Sequence, residues 1–190
     1  ALIDNPDIDI DELIKIIPAP DYPTGGIVMG RTAVKHAYRT GRGGIVVRGR
    51  AEIVEEGNRQ RIIITELPYQ VNKARFIMQM ADMVKNKRLE GISDIKEESD
   101  RDGMRVVVDV KKDANAQVVL NMLYKHTMLQ QSSGIIFLAL VGREPRILNL
   151  KEILYYYLEH QKDVLTRKTK FDLARAEERA HIVKGLVIAL

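Results

Sequence analysis

Ile92-Ser93-Asp94-Ile95-Lys96-Glu97-Glu98-Ser99-Asp100-Arg101-Asp102-Gly103-Met104-Arg105-Val106-Val107-Val108-Asp109-Val110-Lys111 decides the fold class. Two β-rich runs, Ile92 to Glu98 and Met104 to Lys111, flank Asp100-Arg101-Asp102-Gly103. Asp-Gly between strand runs signals a hairpin. An amphipathic helix stands on each side. The first is predicted from Lys73 to Arg88, capped by Asn72 and ended by Gly91, with Ala74, Ile77, Met80, Ala81 and Val84 on its apolar face. Met78, Met80 and Met83 read as core filling. The second helix is predicted from Ala114 to Lys125. Strand pairs interleaved with helices give an α+β class with a mixed, mainly antiparallel sheet.

Upstream, Ile45 to Val54 and Arg61 to Leu67 read as strands joined at Glu55-Glu56-Gly57-Asn58. On one continuous strand Arg48 and Arg50 share a face, about 7 Å apart at ~3.3–3.4 Å per residue. Arg31 to Thr40 reads as a short helix broken by Gly41-Arg42-Gly43-Gly44. Pro18-Ala19-Pro20-Asp21-Tyr22-Pro23 is an extended, rigid connection. Asp9 and Glu12 form a capping-box pattern ahead of Leu13, Ile14, Ile16 and Ile17.

Downstream, an apolar strand is predicted near Gly134 to Leu140, then a turn at Gly142-Arg143-Glu144-Pro145. From Asn149 the character changes. Asn149 serves as N-cap with Glu152 three residues on, and residues 150–184 contain neither Pro nor Gly. That is on the order of 50 Å of helix. Its apolar positions (Leu150, Ile153, Leu154, Tyr157, Leu158) are interrupted by the polar and basic stretch Thr166 to Lys170, as in an arm that leaves a globular body. Tyr155-Tyr156-Tyr157 wraps three sides of this helix, so at least one ring should pack and another meet solvent, with packing the favoured role. The expected organisation is a domain over 1–148 and a single long helix over 149–190.

Composition removes whole classes of function. The 190 residues include no Cys, which excludes disulfides, thiolate nucleophiles and Cys-based zinc sites. No run of 18 apolar residues and no basic, then apolar, leader is present, so neither a membrane span nor a secretory signal is supported. A cytoplasmic location is expected. His36, His126, His160 and His181 lack ligand spacing, and no Walker A or Gly-x-Gly-x-x-Gly pattern follows a strand. Neither a metal site, nor a nucleotide site, nor a self-contained catalytic group is expected in this chain. Ala1 in place of Met, and a helical pattern still running at Leu190, read as a piece of a longer protein.

Charge is segregated behind a net +4. Residues 1–17 carry −4, 18–50 carry +5, 51–110 carry −2 and 111–190 carry +5. From Arg31 to Arg50 there are six bases (Arg31, Lys35, Arg39, Arg42, Arg48, Arg50) and no acid. Such a block is self-repelling unless an anion answers it. Arg supplies a donor fork matched to phosphate oxygens, so these six are candidate phosphate-contacting and hence DNA-binding residues, with a solvated basic face as the alternative reading.

Several strings carry a family resemblance. Ile17-Pro18-Ala19-Pro20-Asp21-Tyr22-Pro23-Thr24, Ala37-Tyr38-Arg39-Thr40-Gly41-Arg42-Gly43 and Glu66-Leu67-Pro68-Tyr69-Gln70-Val71-Asn72-Lys73-Ala74 resemble the DNA gyrase A family of type IIA topoisomerases. So do Glu90-Gly91-Ile92-Ser93-Asp94, Glu98-Ser99-Asp100-Arg101-Asp102-Gly103-Met104-Arg105 and Arg179-Ala180-His181-Ile182. The corresponding topoisomerase IV protein is similar over the same stretch, but the form Pro68-Tyr69-Gln70-Val71-Asn72 is closer to gyrase. The resemblance implies a tower domain over 1–148 and a truncated first helix of a coiled-coil arm over 149–190. It implies a role in holding double-stranded gate DNA during ATP-dependent strand passage and negative supercoiling. It also implies a heterotetramer of two gyrase A and two gyrase B polypeptides, with Mg2+ and ATP held by gyrase B. The family's cleaving tyrosine follows an Arg, and no Arg-Tyr pair occurs here, so the resemblance places no catalytic residue in this chain and implies that alone it is inactive. A non-catalytic structural or dimerisation module is the alternative reading.

Overall fold

The computed structural model describes residues 1–57 and 59–189, so Asn58 of the expected turn and the terminal Leu190 lie outside the described residues. In order, the elements are α1 (Ile10–Ile16), β1 (Ile27–Met29), α2 (Arg31–Thr40), β2 (Arg42–Arg48), β3 (Ala51–Glu56), β4 (Arg59–Ile64), α3 (Lys73–Lys85), β5 (Ile92–Glu97), β6 (Val106–Val110), α4 (Ala116–His126), β7 (Gln130–Ile136), β8 (Leu138–Val141), β9 (Glu144–Ile147) and α5 (Leu150–Ala189). The α+β class with antiparallel pairing is as the sequence indicated. The strands form a sheet in the order β1-β2-β7, a second in the order β3-β4-β6-β5, and the ribbon β8-β9.

Each larger sheet has its own core. Under β2 and β7, Ile45, Val47 and Ile135 pack with Val34, Ala37 and Tyr38 of α2, Leu13 and Ile14 of α1, and Leu150 at the root of α5. On the second sheet, Ile62, Ile64, Val106, Val108 and Val110 lie under Phe76 and Met80 of α3 and Val119, Leu120 and Leu123 of α4. The second core is built from residues 51–129, an insertion into the first. The chain leaves one strand pair after Arg48 and returns at Gln130, and those two residues face each other across β2 and β7.

Ile45 to Val54 is therefore not one strand, as the run of β-formers indicated, but the end of β2 and the start of β3 in different sheets. Gly49 is the reason. A Cβ there would overlap the Glu66 carbonyl oxygen and stand 2.8 Å from Leu129 Cδ1. Its N–H donates to Leu129 O at 2.7 Å, and Arg50 N donates to Glu66 O at 3.0 Å. The backbone is thus captured by two chain segments crossing the same seam. Arg48 and Arg50 do not share a strand face.

Other boundaries differ for local reasons. In α3 the apolar side is centred on Phe76 and Met80, both 0% exposed, with Ile77, Met83 and Val84 beside them. Ala74 and Ala81, expected on that face, are exposed because the larger side chains take the interior. Asn72 caps α3 through Arg75 N as expected, but the helix stops at Lys85, where Lys87 takes a left-handed φ of 54° before Gly91 is reached. The apolar run near Gly134 to Leu140 divides into β7 and β8 at Phe137. Phe137 N donates to Gly41 O, its carbonyl accepts from Leu148 N, and its ring stacks on Tyr38 at 5.7 Å. The turn after β8 leads into β9, which the sequence did not announce. Asp9 occupies the N-cap of α1 but its side chain accepts no capping bond.

At Asn149 the capping box is complete: Asn149 Oδ1 accepts from Glu152 N at 2.9 Å, and Glu152 accepts from Asn149 N at 2.8 Å. The 40-residue α5 continues through Gly185. Burial is confined to its root; Tyr156 is half-buried while Tyr155 and Tyr157 are 53% and 57% exposed, so the trio divides between packing and solvent as expected, with solvent the commoner side.

Candidate nucleic-acid interface

Arg31, Lys35 and Arg39 recur at four-residue spacing in α2 and so form a stripe on one side of the helix. The adjoining side is anchored by the buried Val34, Ala37 and Tyr38, which leaves the stripe exposed along the flank of the helix. The amino end of α2 has Gly30 as N-cap with no capping side chain and no acid in its first turn. The positive end of the helix dipole therefore adds to the field of Arg31. Gly41 ends the helix in a left-handed conformation (φ 72°), and a side chain there would overlap Leu148 O. This sharp stop puts Arg42, exposed, at the head of β2 just beyond the stripe.

The block is acid-free only in sequence. Asp11 of α1 meets Arg39 with a forked contact, Nη2 lying 2.7 and 2.6 Å from its two oxygens and Nε 3.2 Å from Oδ1. The Arg39 hydrogen bonds hold the Asp11 carboxyl below its ordinary range, against burial and with the charges of Arg39, Lys35 and Lys15 assisting. Arg31, Lys35 and Lys15 line a shallow cavity of about 560 Å³ between α1 and α2, together with Asp11, Ile14 and Pro18. Lys15 was missed by sequence reasoning because it lies in the acidic leader. Only the helix pairing, not any spacing, brings it here.

Arg48 and Arg50 are elsewhere. Arg48 stands six residues along β2 from Arg42, about 20 Å at strand rise. Its guanidinium lies 4.1 Å over the Tyr124 ring and its Nε donates to Gln130 Oε1 at 2.7 Å. Arg50 Nε lies 3.1 Å from Glu66 Oε1, and Glu66 also accepts from Gly26 N. The structure thus lines Arg31, Lys35 and Arg39 along α2, places Arg42 at the head of β2 on the sheet face turned away from α2, and leaves Arg48 and Arg50 at the seam between the cores. Among the described residues, Arg31, Lys35 and Arg42 enter no ion pair, whereas Arg39 and Arg50 do.

The other charged cluster is internally balanced. On the outer face of the second sheet, Arg61 bridges Glu56 and Asp109, and Lys96 Nζ reaches Asp109 Oδ2 at 2.7 Å. Arg61 Nε, 2.8 Å from Asp109 Oδ1, lies off the hydrogen-bond direction and meets it as an ion pair. The Lys96 hydrogen bond holds the Asp109 carboxyl low, against burial. Among the described residues, no group of His, Asp and Glu is placed to hold a metal ion, and no helix is long and apolar enough to cross a membrane.

Known proteins resemble this chain along its whole length. The family of the A subunits of DNA gyrase and topoisomerase IV matches residues 1–190. The DNA gyrase A subunit of Clostridium acetobutylicum is 57% identical over 190 residues, covering 100% of this chain and 23% of that protein. The protein of the same name from Halalkalibacterium halodurans is 55% identical with the same coverage. That from Staphylococcus aureus is 53% identical over 192 residues, with 22% of its length covered. The chain thus spans less than a quarter of the length of these relatives. With every one of its residues inside the match, the chain belongs to the family of DNA gyrase and topoisomerase IV A subunits.

Proposed function

We propose that this chain is the part of a gyrase A polypeptide that supports and binds the gate segment of double-stranded DNA during ATP-dependent strand passage and negative supercoiling. Residues 1–148 act as the tower of the DNA gate and 149–190 as the first arm helix. The working enzyme is a cytoplasmic assembly of two gyrase A polypeptides with gyrase B, which supplies the Mg2+ and ATP chemistry. This chain supplies no catalytic residue and is inactive alone.

The single observation that carries the reading is the outward pair Arg31 and Lys35 on α2, cations with no acid partner among the described residues, beside an uncapped helix amino end, with Arg42 likewise exposed and unpaired at the head of β2. Phosphate is the anion that answers such cations in a relative of gyrase. Arg39, Arg48 and Arg50 add to the local field while their side chains are engaged inside the protein. The contacts are to the DNA backbone, so sequence preference arises from duplex deformability.

The test is Arg31→Gln, Lys35→Gln and Arg42→Gln together in the complete enzyme. Each lost phosphate contact lowers the slope of log affinity against log salt by about 0.9, so the triple variant lowers it by about 2.7 for each copy of the chain. An unchanged slope refutes the DNA-contact reading and favours a purely structural module.

A further inference from the structure

Residues 51–129 hang on two adjacent strand ends, and the side chains bracing that joint come from the basic block. The covalent crossings are Gly49-Arg50 and Leu129-Gln130, tied by the hydrogen bond from Gly49 N to Leu129 O. Around them, Arg48 spans from β2 to the Tyr124 ring on α4, and Tyr124 Oη donates to Gly49 O at 3.5 Å. Arg50 and Glu66 pair at 3.1 Å, and the same carboxylate accepts from Gly26 N in the connection before β1. A third tie is lateral: Tyr22 stacks on Tyr69 with centroids 5.8 Å apart, and Gln131 Nε2 donates to Tyr69 O. Two strand ends alone form a hinge, since they restrain bending far less than a packed interface does. The planar guanidinium of Arg48 on an aromatic face, and the carboxylate of Glu66 shared between two segments, are directional restraints that a point-charge ammonium does not reproduce.

We propose that Arg48, Arg50 and Glu66 are positioning residues of the DNA-gate function: they lock the inserted module against the body that carries the α2 cations and the arm root, and do not themselves contact phosphate. The inference rests on the gate reading above for its functional consequence, while its geometric part stands without DNA. Arg50 touching phosphate and Arg50 bracing the joint predict opposite responses to one change. If Arg50 binds phosphate, Glu66→Gln frees it and strengthens DNA binding. If Arg50 braces the joint, Glu66→Gln and Arg50→Gln damage the same restraint.

The experiment uses the complete enzyme with Glu66→Gln, Arg50→Gln, Arg48→Lys or no change. Spin labels are placed at His36→Cys in α2 and Asp82→Cys in α3, both exposed positions on opposite sides of the joint, with any cysteines elsewhere in the enzyme replaced. Expected are a broadened distance distribution in all three variants without DNA, and supercoiling turnover reduced about three- to tenfold at saturating DNA, the range of one lost net hydrogen bond at a half-exposed site. The salt slope of DNA binding stays at the parent value. An unchanged distance distribution overturns the proposal, as does unchanged turnover. So does tighter binding by Glu66→Gln together with a slope lowered by about 0.9 in Arg50→Gln. Failure of the α2 triple variant to alter the slope would sink the DNA-contact reading, yet leave the distance result to decide the brace.

Discussion

Asp11→Asn should turn Arg39 from an occupied cation into a free one, and DNA affinity should rise. The pair is well formed but half-exposed, with side-chain exposures of 51% for Arg39 and 45% for Asp11. Exposed pairs of this kind add little to stability, so the variant should lose at most a few degrees of melting temperature. The neighbours of Arg39 are favourable: it continues the stripe of Arg31 and Lys35 at helical spacing, so a duplex engaging those two lies within reach of the third. One additional phosphate neutralised adds about 0.9 to the salt slope, equivalent to about eightfold in affinity at ~0.1 M salt, a gain that shrinks by about 3.5-fold after a fourfold rise in salt. The assay is a binding titration of the complete enzyme on one duplex across a salt series. Weaker binding, or equal binding with an unaltered slope in a folded variant, would show that the α2 stripe does not face DNA. Glu66→Gln provides the opposite case, since removing an acid should strengthen binding at Asp11 and weaken function at the joint.

Packing and ion pairs set three further outcomes. Phe76→Ala, at a side chain 0% exposed between α3 and its sheet, should destabilise the inserted module by about 3–5 kcal/mol in urea unfolding followed by circular dichroism. The Glu97 carboxyl is held at about 2 by hydrogen bonds from the Lys73 side chain and from Ser99. Because its folded value lies below the unfolded one of 4.5, this stabilisation is complete above pH 4.5 and is lost as pH falls toward 2. Lys73→Met should therefore lower stability at neutral pH, and the gap to the parent should close through that window; a gap constant with pH would refute the assignment. Asn149→Ala removes half of a reciprocal capping box and should cost about 1 kcal/mol, read as faster amide exchange over residues 150–153.

Much of the architecture was legible because local and global signals agreed. Asp-Gly at 102–103 made the β5–β6 hairpin, and Asn72 and Asn149 capped the helices they precede. The failures share one cause, which is tertiary contact overriding local pattern. Nothing in Ile45 to Val54 reveals that Gly49 lies against Glu66 and Leu129, so the break between two sheets was invisible. The candidate site suffered in the same way. The stripe Arg31, Lys35, Arg39 is written in helical spacing, but its partner Asp11 and its neighbour Lys15 arrive from a segment whose charge has the opposite sign. For Arg48 and Arg50, the partners Tyr124, Gln130 and Glu66 come from distant parts of the chain, so their charge was readable and their employment was not.

The adjacency of Arg48 and Gln130 also bears on the order of assembly. Topologically, β2 and β7 are the two arms of a hairpin whose turn has been replaced by residues 49–129. Bringing such distant segments together from an open chain carries a closure entropy of about 4 kcal/mol. The intervening stretch removes that burden once it has folded, because its own core ends at Leu129, hydrogen-bonded to Gly49, and so delivers the two arms in register. The sheet that underlies the α2 cations should thus zip only after the inserted module has formed, and a slowly folding module would delay the appearance of the cationic stripe even though it contributes none of that stripe's charges.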